Sequence, residues 1–179
     1  MRGFDSYRRI AGIAVLALLA VHPWLRPEGA WTLLAACDLA ALATAVGLIA
    51  GADRIVAIAF VFQLAVGVPA LVVGMLTTYH WNWSGIAVHV LPMVLGGFVV
   101  AGSGVPRRAA LYAWIGYAVA FLAAAIVVPA GVDINFSDRV WAPLAPTLEP
   151  WSFRLVVLGV VGVELAIAHL VIALRKPRF

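Results

Sequence analysis

The chain has 179 residues, of which 65% are hydrophobic and 11% charged, and its mean hydropathy is +1.06. A composition this apolar excludes an ordinary soluble globular domain and predicts an integral membrane protein. The net charge of +4 does not indicate a nucleic-acid partner, because the basic residues lie at the ends of the apolar blocks. A single cysteine, Cys37, excludes an internal disulfide and a zinc site built on a cysteine pair.

The apolar residues form successive blocks of about twenty, the length of helix that crosses a hydrocarbon core about 30 Å thick. Continuous apolar runs without period-two alternation favour helices over a membrane β-barrel. We therefore predict one domain, an all-α bundle of six transmembrane helices, over residues 10–26, 30–50, 54–76, 84–103, 108–130 and 152–174.

The first apolar run follows Arg2, Arg8 and Arg9, as in a secretory signal peptide. No small-residue cleavage site follows it, because the next residues are His22-Pro23-Trp24. We interpret the run as a retained first helix.

The basic residues are distributed unequally between the two ends of these helices. If the N-terminus is cytoplasmic, nine of the twelve Lys and Arg residues lie on that side and three on the other. Cytoplasmic loops carry such an excess of positive charge. We therefore predict that both termini are cytoplasmic and that the long loop over 131–151 is outside.

The polar residues that are unusual in a membrane helix then concentrate toward the outer side. His22 ends the first helix, His80 follows the third, and His89 lies roughly 8 Å below the start of the fourth. Polar side chains are costly at membrane depth and often mark function. The loop over 131–151 lies on the same side, and loops of this length are often functional. The pattern predicts an outward-facing polar site.

His89 is the strongest single candidate in this site. Pro92 follows three positions later and has no backbone N–H, so the carbonyl near Val88 loses its helical partner. An imidazole beside a freed carbonyl in a low dielectric suits a catalytic base or a ligand site. The alternative is a histidine that only bonds to a neighbouring helix for packing.

The three histidines on the outer side also form a candidate metal set. His22, His80 and His89, with an aspartate such as Asp38 or Asp133, offer the ligand types of zinc or iron. No pair has the His-x-x-x-His spacing that places two ligands on one helix face. Two interpretations therefore remain: the histidines bind a divalent metal, or His22 and His80 belong to an aromatic belt at the membrane interface.

Three further polar residues fall deep inside predicted spans. Asp38 lies about 12 Å into the second helix, while Gln63 and Glu164 lie near the middle of the third and the sixth. A carboxyl at such depth is costly when ionised, so we expect it to be protonated or paired. A proton relay, acid–base chemistry and a simple interhelical hydrogen bond all remain open.

The second half of the chain carries a combination of short motifs, His89-Val90-Leu91-Pro92, Arg107-Arg108-Ala109, Asp133-Ile134-Asn135-Phe136 and His169-Leu170. Together they resemble a group of small bacterial six-helix membrane proteins that has no assigned activity. The resemblance implies the same six-helix fold and a location in the bacterial inner membrane.

The layout of six helices with His89 and Pro92 in the fourth is also similar to the androgen-induced fatty-acid-ester hydrolases. That resemblance implies a threonine nucleophile and a histidine. His89 matches the histidine, and Thr32 or Thr44 in the second helix is the candidate threonine.

Our first hypothesis is a membrane-embedded hydrolase that acts on a lipid or another apolar ester. His89 is then the base, Asn135 or Asp133 from the outer loop orients it or stabilises the oxyanion, and Asp38 is a supporting acid.

The alternative is a non-catalytic protein that binds or transports a small molecule or a metal, or a subunit of a larger membrane complex. Both hypotheses place membrane lipids around the protein, and both leave a homo-oligomer open.

Overall fold

The structure, a computed structural model, describes residues 2–78, 83–129, 132, 147 and 149–175. All regular secondary structure in these ranges is helical, which confirms the all-α prediction for this part of the chain. The α-helices are α1 (Arg2–Val21), α2 (Ala36–Ala50), α3 (Asp53–Phe62), α4 (Val68–Thr78), α5 (Trp83–Ser103), α6 (Ala109–Val127) and α7 (Pro150–Arg175). A π-helical segment, Gln63–Gly67, joins α3 to α4, and two 3-10 segments, His22–Leu25 and Gly29–Leu34, lie between α1 and α2.

Five stretches among the described residues are long and apolar enough to cross a membrane, namely Asp5–Leu25, Asp53–Val73, Trp83–Ser103, Ala109–Val127 and Pro150–Leu174. They agree with five of the predicted spans. Large apolar side chains are exposed along them, with Phe98 at 75% and Ile126 at 82%. Such a surface is unfavourable in water and suits contact with lipid tails. The fold is that of a helical membrane protein with several spans.

The second predicted span, 30–50, differs from the prediction of one continuous helix. Its first part is the 3-10 segment Gly29–Leu34, Ala35 is extended, and α2 has 15 residues. Gly29 has a φ of +60°, and the Thr32 hydroxyl donates to the Gly29 carbonyl at 2.9 Å. Such local bonds compete with the α-helix and favour a tight turn. The predicted count of six spanning helices therefore stays a prediction.

The bundle is organised around α3 and the π segment. Helix α3 packs against α2, α5, α6 and α7, while α1 packs against α2 and α5. Glycine permits close approaches between helices: a Cβ on Gly12 would lie 2.7 Å from the Ala45 carbonyl oxygen, and one on Gly96 would lie 2.8 Å from Phe60 Cβ. Small residues at such crossings let helix backbones approach where lipid provides no hydrophobic drive.

Two apolar clusters form the interior. The larger joins α3 and the π segment to α6 and α7 around Phe62, Tyr117, Phe121 and Leu165. The smaller joins α1, α2 and α5 around Val15, Ala41 and Val88. Buried polar side chains lie beside the smaller cluster, at the end of the bundle where α1 ends and α5 begins. We call this the His22 end, and the opposite end, where α3 begins, the Arg54 end.

Candidate functional site

The His22 side chain is buried at the end of α1. Helix α1 ends at Val21, and Pro23, which has no backbone N–H, lies in the following 3-10 turn. Only 5% of the His22 surface is exposed. Its Nδ1 lies 2.9 Å from Oγ of Ser84, a fully buried residue in the first turn of α5. A hydrogen bond between two buried polar side chains thus joins the end of α1 to the start of α5.

Asp38 faces the other nitrogen of the same ring. His22 Nε2 lies 3.8 Å from Asp38 Oδ2, and both side chains are buried. This separation allows electrostatic attraction but is longer than a hydrogen bond. No donor among the described residues reaches Asp38 Oδ2. The His22 imidazole therefore lies between the Ser84 hydroxyl and the Asp38 carboxyl. We call these three residues the Ser84–His22–Asp38 cluster.

His89 forms a hydrogen bond with the backbone of its own helix. Its Nδ1 lies 2.7 Å from the carbonyl oxygen of Gly85, one turn earlier in α5. A carbonyl only accepts, so Nδ1 donates and Nε2 carries the lone pair of the neutral ring. Among the described residues, no hydrogen bond joins His89 to a hydroxyl. In the described part of the chain, the imidazole in contact with a hydroxyl is that of His22.

The carbonyl that Pro92 leaves without a helical donor faces Gln63. Pro92 lies inside α5, and the amide Nε2 of Gln63 is 3.5 Å from the Val88 oxygen. The same nitrogen donates to the Cys37 carbonyl at 2.9 Å. Gln63 is fully buried at the start of the π segment, a widened turn that is frequent at functional sites. Its amide connects α2 to α5 across the centre of the bundle.

The Gln63 amide also explains the glycine at position 67. A Cβ on Gly67 would lie 2.0 Å from Gln63 Oε1 and 3.5 Å from His89 Cδ2. The Gln63 amide and the edge of the His89 ring thus occupy the space that a side chain at position 67 would need. Gln63 Oε1 is a buried acceptor that no donor among the described residues reaches.

Arg26 adds a cation beside these residues. It lies in the turn between the two 3-10 segments and forms an ion pair with Glu28, Nε to Oε2 at 3.2 Å. Its charge is close enough to act electrostatically on His22, Asp38 and His89.

The larger apolar cluster separates the buried polar groups from part of the interior, and Val61, Phe62, Phe121 and Leu165 pack together in it. The Thr44 hydroxyl donates to the Ala40 carbonyl of its own helix at 3.0 Å. His22, Asp38 and Ser84 are buried near the His22 end, while Glu164 and His169 of α7 are half-buried.

Some predicted site residues have other partners or cannot be compared. Thr32 and Thr44 both donate to backbone carbonyls of their own segments. His80, Asp133 and Asn135 lie outside the described residues, so their roles remain predictions. Within the described ranges, no three His, Cys, Asp or Glu side chains are placed to hold a metal ion.

Ser84 is the residue that the sequence reasoning missed. It lies beside the polar stretch before α5, in Trp83-Ser84-Gly85, but a serine at a helix start is usually a cap.

No family model, curated protein or solved structure matches the chain. Its function has to follow from the chemistry of the cluster itself.

Proposed function

We propose that the protein is a membrane-embedded hydrolase that cleaves an ester of an apolar molecule. Ser84 is the nucleophile, His22 the general base and Asp38 the group that orients the base. The observation that carries this proposal is the 2.9 Å contact between Ser84 Oγ and His22 Nδ1, with Asp38 on the opposite side of the ring. A serine hydroxyl is a weak nucleophile unless a base lies within hydrogen-bond reach and a third group orients that base.

The ring nitrogens have distinct roles in this reaction. Nε2 carries its hydrogen toward Asp38, so Nδ1 is free to accept the proton of Ser84 as Oγ attacks the ester carbonyl. His22 then donates that proton to the departing alcohol, which leaves an acyl group on Ser84. Water enters, gives a proton to Nδ1 as its oxygen attacks the acyl carbon, and Ser84 recovers the proton when the carboxylic acid departs. The 3.8 Å gap to Asp38 shortens when the ring becomes positive, as catalytic hydrogen bonds commonly do.

His89 acts as a positioning residue in this scheme. Its bond to the Gly85 carbonyl fixes the residue next to Ser84. Helix α5 begins at Trp83, so the N–H groups of its first turn have no acceptor within the helix and are candidates to stabilise the oxyanion. Asn135, or Asp133 as an orienting group, remains proposed for the loop over 131–151.

Ser84 has no exposed surface, so the substrate needs a route to it. The route would open by separation of the end of α1 from the start of α5, since many enzymes open their sites before binding. With the predicted orientation, the His22 end faces the outer leaflet of a bacterial inner membrane. An apolar ester such as a lipid would approach from there.

The test is covalent labelling of the purified protein in lipid nanodiscs with an alkyl fluorophosphonate, which reacts with activated serines. We expect one label at Ser84 and turnover of p-nitrophenyl acyl esters. Both should be lost in Ser84→Ala and in His22→Phe. Ser103→Ala is the matched control, because that hydroxyl is exposed and donates to the Val99 carbonyl of its own helix. Folded protein that neither reacts with the probe nor cleaves any ester would refute the proposal.

A second candidate, binding or transport of a small molecule or a metal, is favoured by one observation. Asp38 Oδ2 and Gln63 Oε1 are buried acceptors without a donor among the described residues. Buried acceptors normally have partners, so a cation or a protic ligand would satisfy both. Metal analysis of the purified protein distinguishes the two functions: a stoichiometric metal that Asp38→Asn removes would favour this one.

A further inference from the structure

A pocket of about 820 Å³ opens at the Arg54 end, away from the Ser84–His22–Asp38 cluster. The start of α3, the turn between α5 and α6 and the first turn of α6 surround it. Gly104 ends α5 with a φ of +75°, a left-handed conformation that favours glycine. The chain reverses there, and the pocket is lined by Arg54, Arg107, Arg108 and Tyr112.

The charge of this pocket is not balanced by the described protein groups. Its one lining carboxylate, Asp53, pairs with Arg8 of α1. Across the described ranges, the side chains of Arg54, Arg107 and Arg108 form no ion pair and no hydrogen bond. All three side chains are exposed. Guanidinium groups clustered in this way bind phosphate in bidentate geometry.

An apolar groove of about 190 Å³ continues from the same place between α2, α3 and α6. Small side chains line most of it, including Ala40, Ala43 and Gly116. Ile58 and Tyr112 line both the groove and the basic pocket. An apolar cavity of about 150 Å³ admits a benzene ring, so this groove has room for part of an alkyl chain. The two spaces adjoin at Ile58 and Tyr112, and we call them together the composite pocket, with a cationic end and an apolar end.

We propose that the composite pocket binds one anionic phospholipid. The phosphate lies among Arg54, Arg107 and Arg108, and one acyl chain lies in the groove beside Gly116. A free anion would occupy only the basic part and a neutral apolar molecule only the groove, whereas an anionic phospholipid matches both. Basic pockets between membrane helices recognise such head groups on the cytoplasmic side, where the predicted orientation places this end. The site does not depend on the proposed hydrolase activity, since no residue is shared with the Ser84–His22–Asp38 cluster.

The test measures binding of phosphatidylglycerol and of zwitterionic phosphatidylcholine to detergent-purified protein by native mass spectrometry. We expect one phosphatidylglycerol to be retained preferentially. Arg54→Gln should weaken its binding about fivefold, and Arg107→Gln with Arg108→Gln further, as for basic residues near a membrane surface. Arg9→Gln is the matched control, an exposed arginine of α1 outside the pocket lining.

The apolar end is tested by filling it. Gly116 lines the groove, and a Cβ added there meets no atom within 4 Å, so the side chain of Gly116→Leu has open space in which to begin. It should weaken phosphatidylglycerol binding, while Gly159→Leu in α7, which also meets no atom, should not. Equal retention of both lipids would overturn the proposal. Full displacement of the lipid by inorganic phosphate would also overturn it, because it would assign the pocket to a free anion.

Discussion

Ser84 Oγ lies 2.9 Å from Nδ1 of His22, although 62 positions separate the two residues in the chain. Neither residue has an appreciable exposed surface. The pair joins the end of α1 to the start of α5, and Asp38 at the start of α2 faces the far side of the ring. Three chain segments thus contribute one hydroxyl, one imidazole and one carboxyl to a single cluster.

Asp38→Asn tests the orienting role of the carboxyl. The substitution keeps the shape of the side chain but removes the charge that stabilises the imidazolium of His22. We expect the rate of ester cleavage to fall about 10²- to 10⁴-fold, the range for loss of assisted proton transfer. The kcat of the purified variant in nanodiscs measures it. Glu164→Gln is the control, since that half-buried carboxyl of α7 lies outside the cluster. Equal rates for the two variants would assign Asp38 to packing alone.

Gly67→Ala should destabilise the fold. The new Cβ would lie 2.0 Å from Gln63 Oε1, so the buried amide must move, and we expect its bond to Cys37 to weaken. We expect the free energy of unfolding to fall by about 1–3 kcal/mol, measured by chemical denaturation in detergent. Gly97→Ala is the control, because its Cβ would make an ordinary 3.5 Å contact with Phe60. If the Gly67→Ala protein were as stable as the Gly97→Ala protein, this explanation of Gln63 would be wrong.

Gln63 and Pro92 should be energetically coupled through the Val88 carbonyl. Gln63→Leu leaves that carbonyl without a donor, whereas Pro92→Ala restores the backbone N–H that a regular helix provides. The cost of Gln63→Leu in unfolding free energy should therefore be smaller in the Pro92→Ala background, by about 0.5–1.5 kcal/mol. A double-mutant cycle measures the difference. Additive effects would show that the 3.5 Å contact does not stabilise the protein.

The predicted topology can be tested by labelling single cysteines in a Cys37→Ala background. With six crossings, a cysteine at Glu28 should react with a membrane-impermeant maleimide from the outer side. One at Ala52, between α2 and α3, should react only after the membrane is permeabilised. Reaction of both positions from the same side would mean that α2 does not cross, and that the bundle has five spans.

The sequence by itself determined the class of the fold and several local features of the site. Apolar runs long enough to cross a membrane favour the helix, because it satisfies the backbone hydrogen bonds within the segment. Five of the six predicted spans coincide with long apolar helices among the described residues. Pro92 also predicted a freed carbonyl at Val88, because the loss of its N–H is a covalent property of proline.

Only the tertiary structure decided which residues meet. Two contacts depend on how α1, the π segment and α5 cross: the one between Gln63 and Val88 and the one between Ser84 and His22. No periodicity in the sequence encodes that crossing. His89 shows the same limit: its polarity was visible in the sequence, but its bond to Gly85 required coordinates. Apolar side chains in a membrane protein are equally stable against lipid and against other helices. The pattern of apolar residues therefore identifies the helices but not their neighbours. Close packing and the pairing of a few buried polar groups select how the helices are arranged.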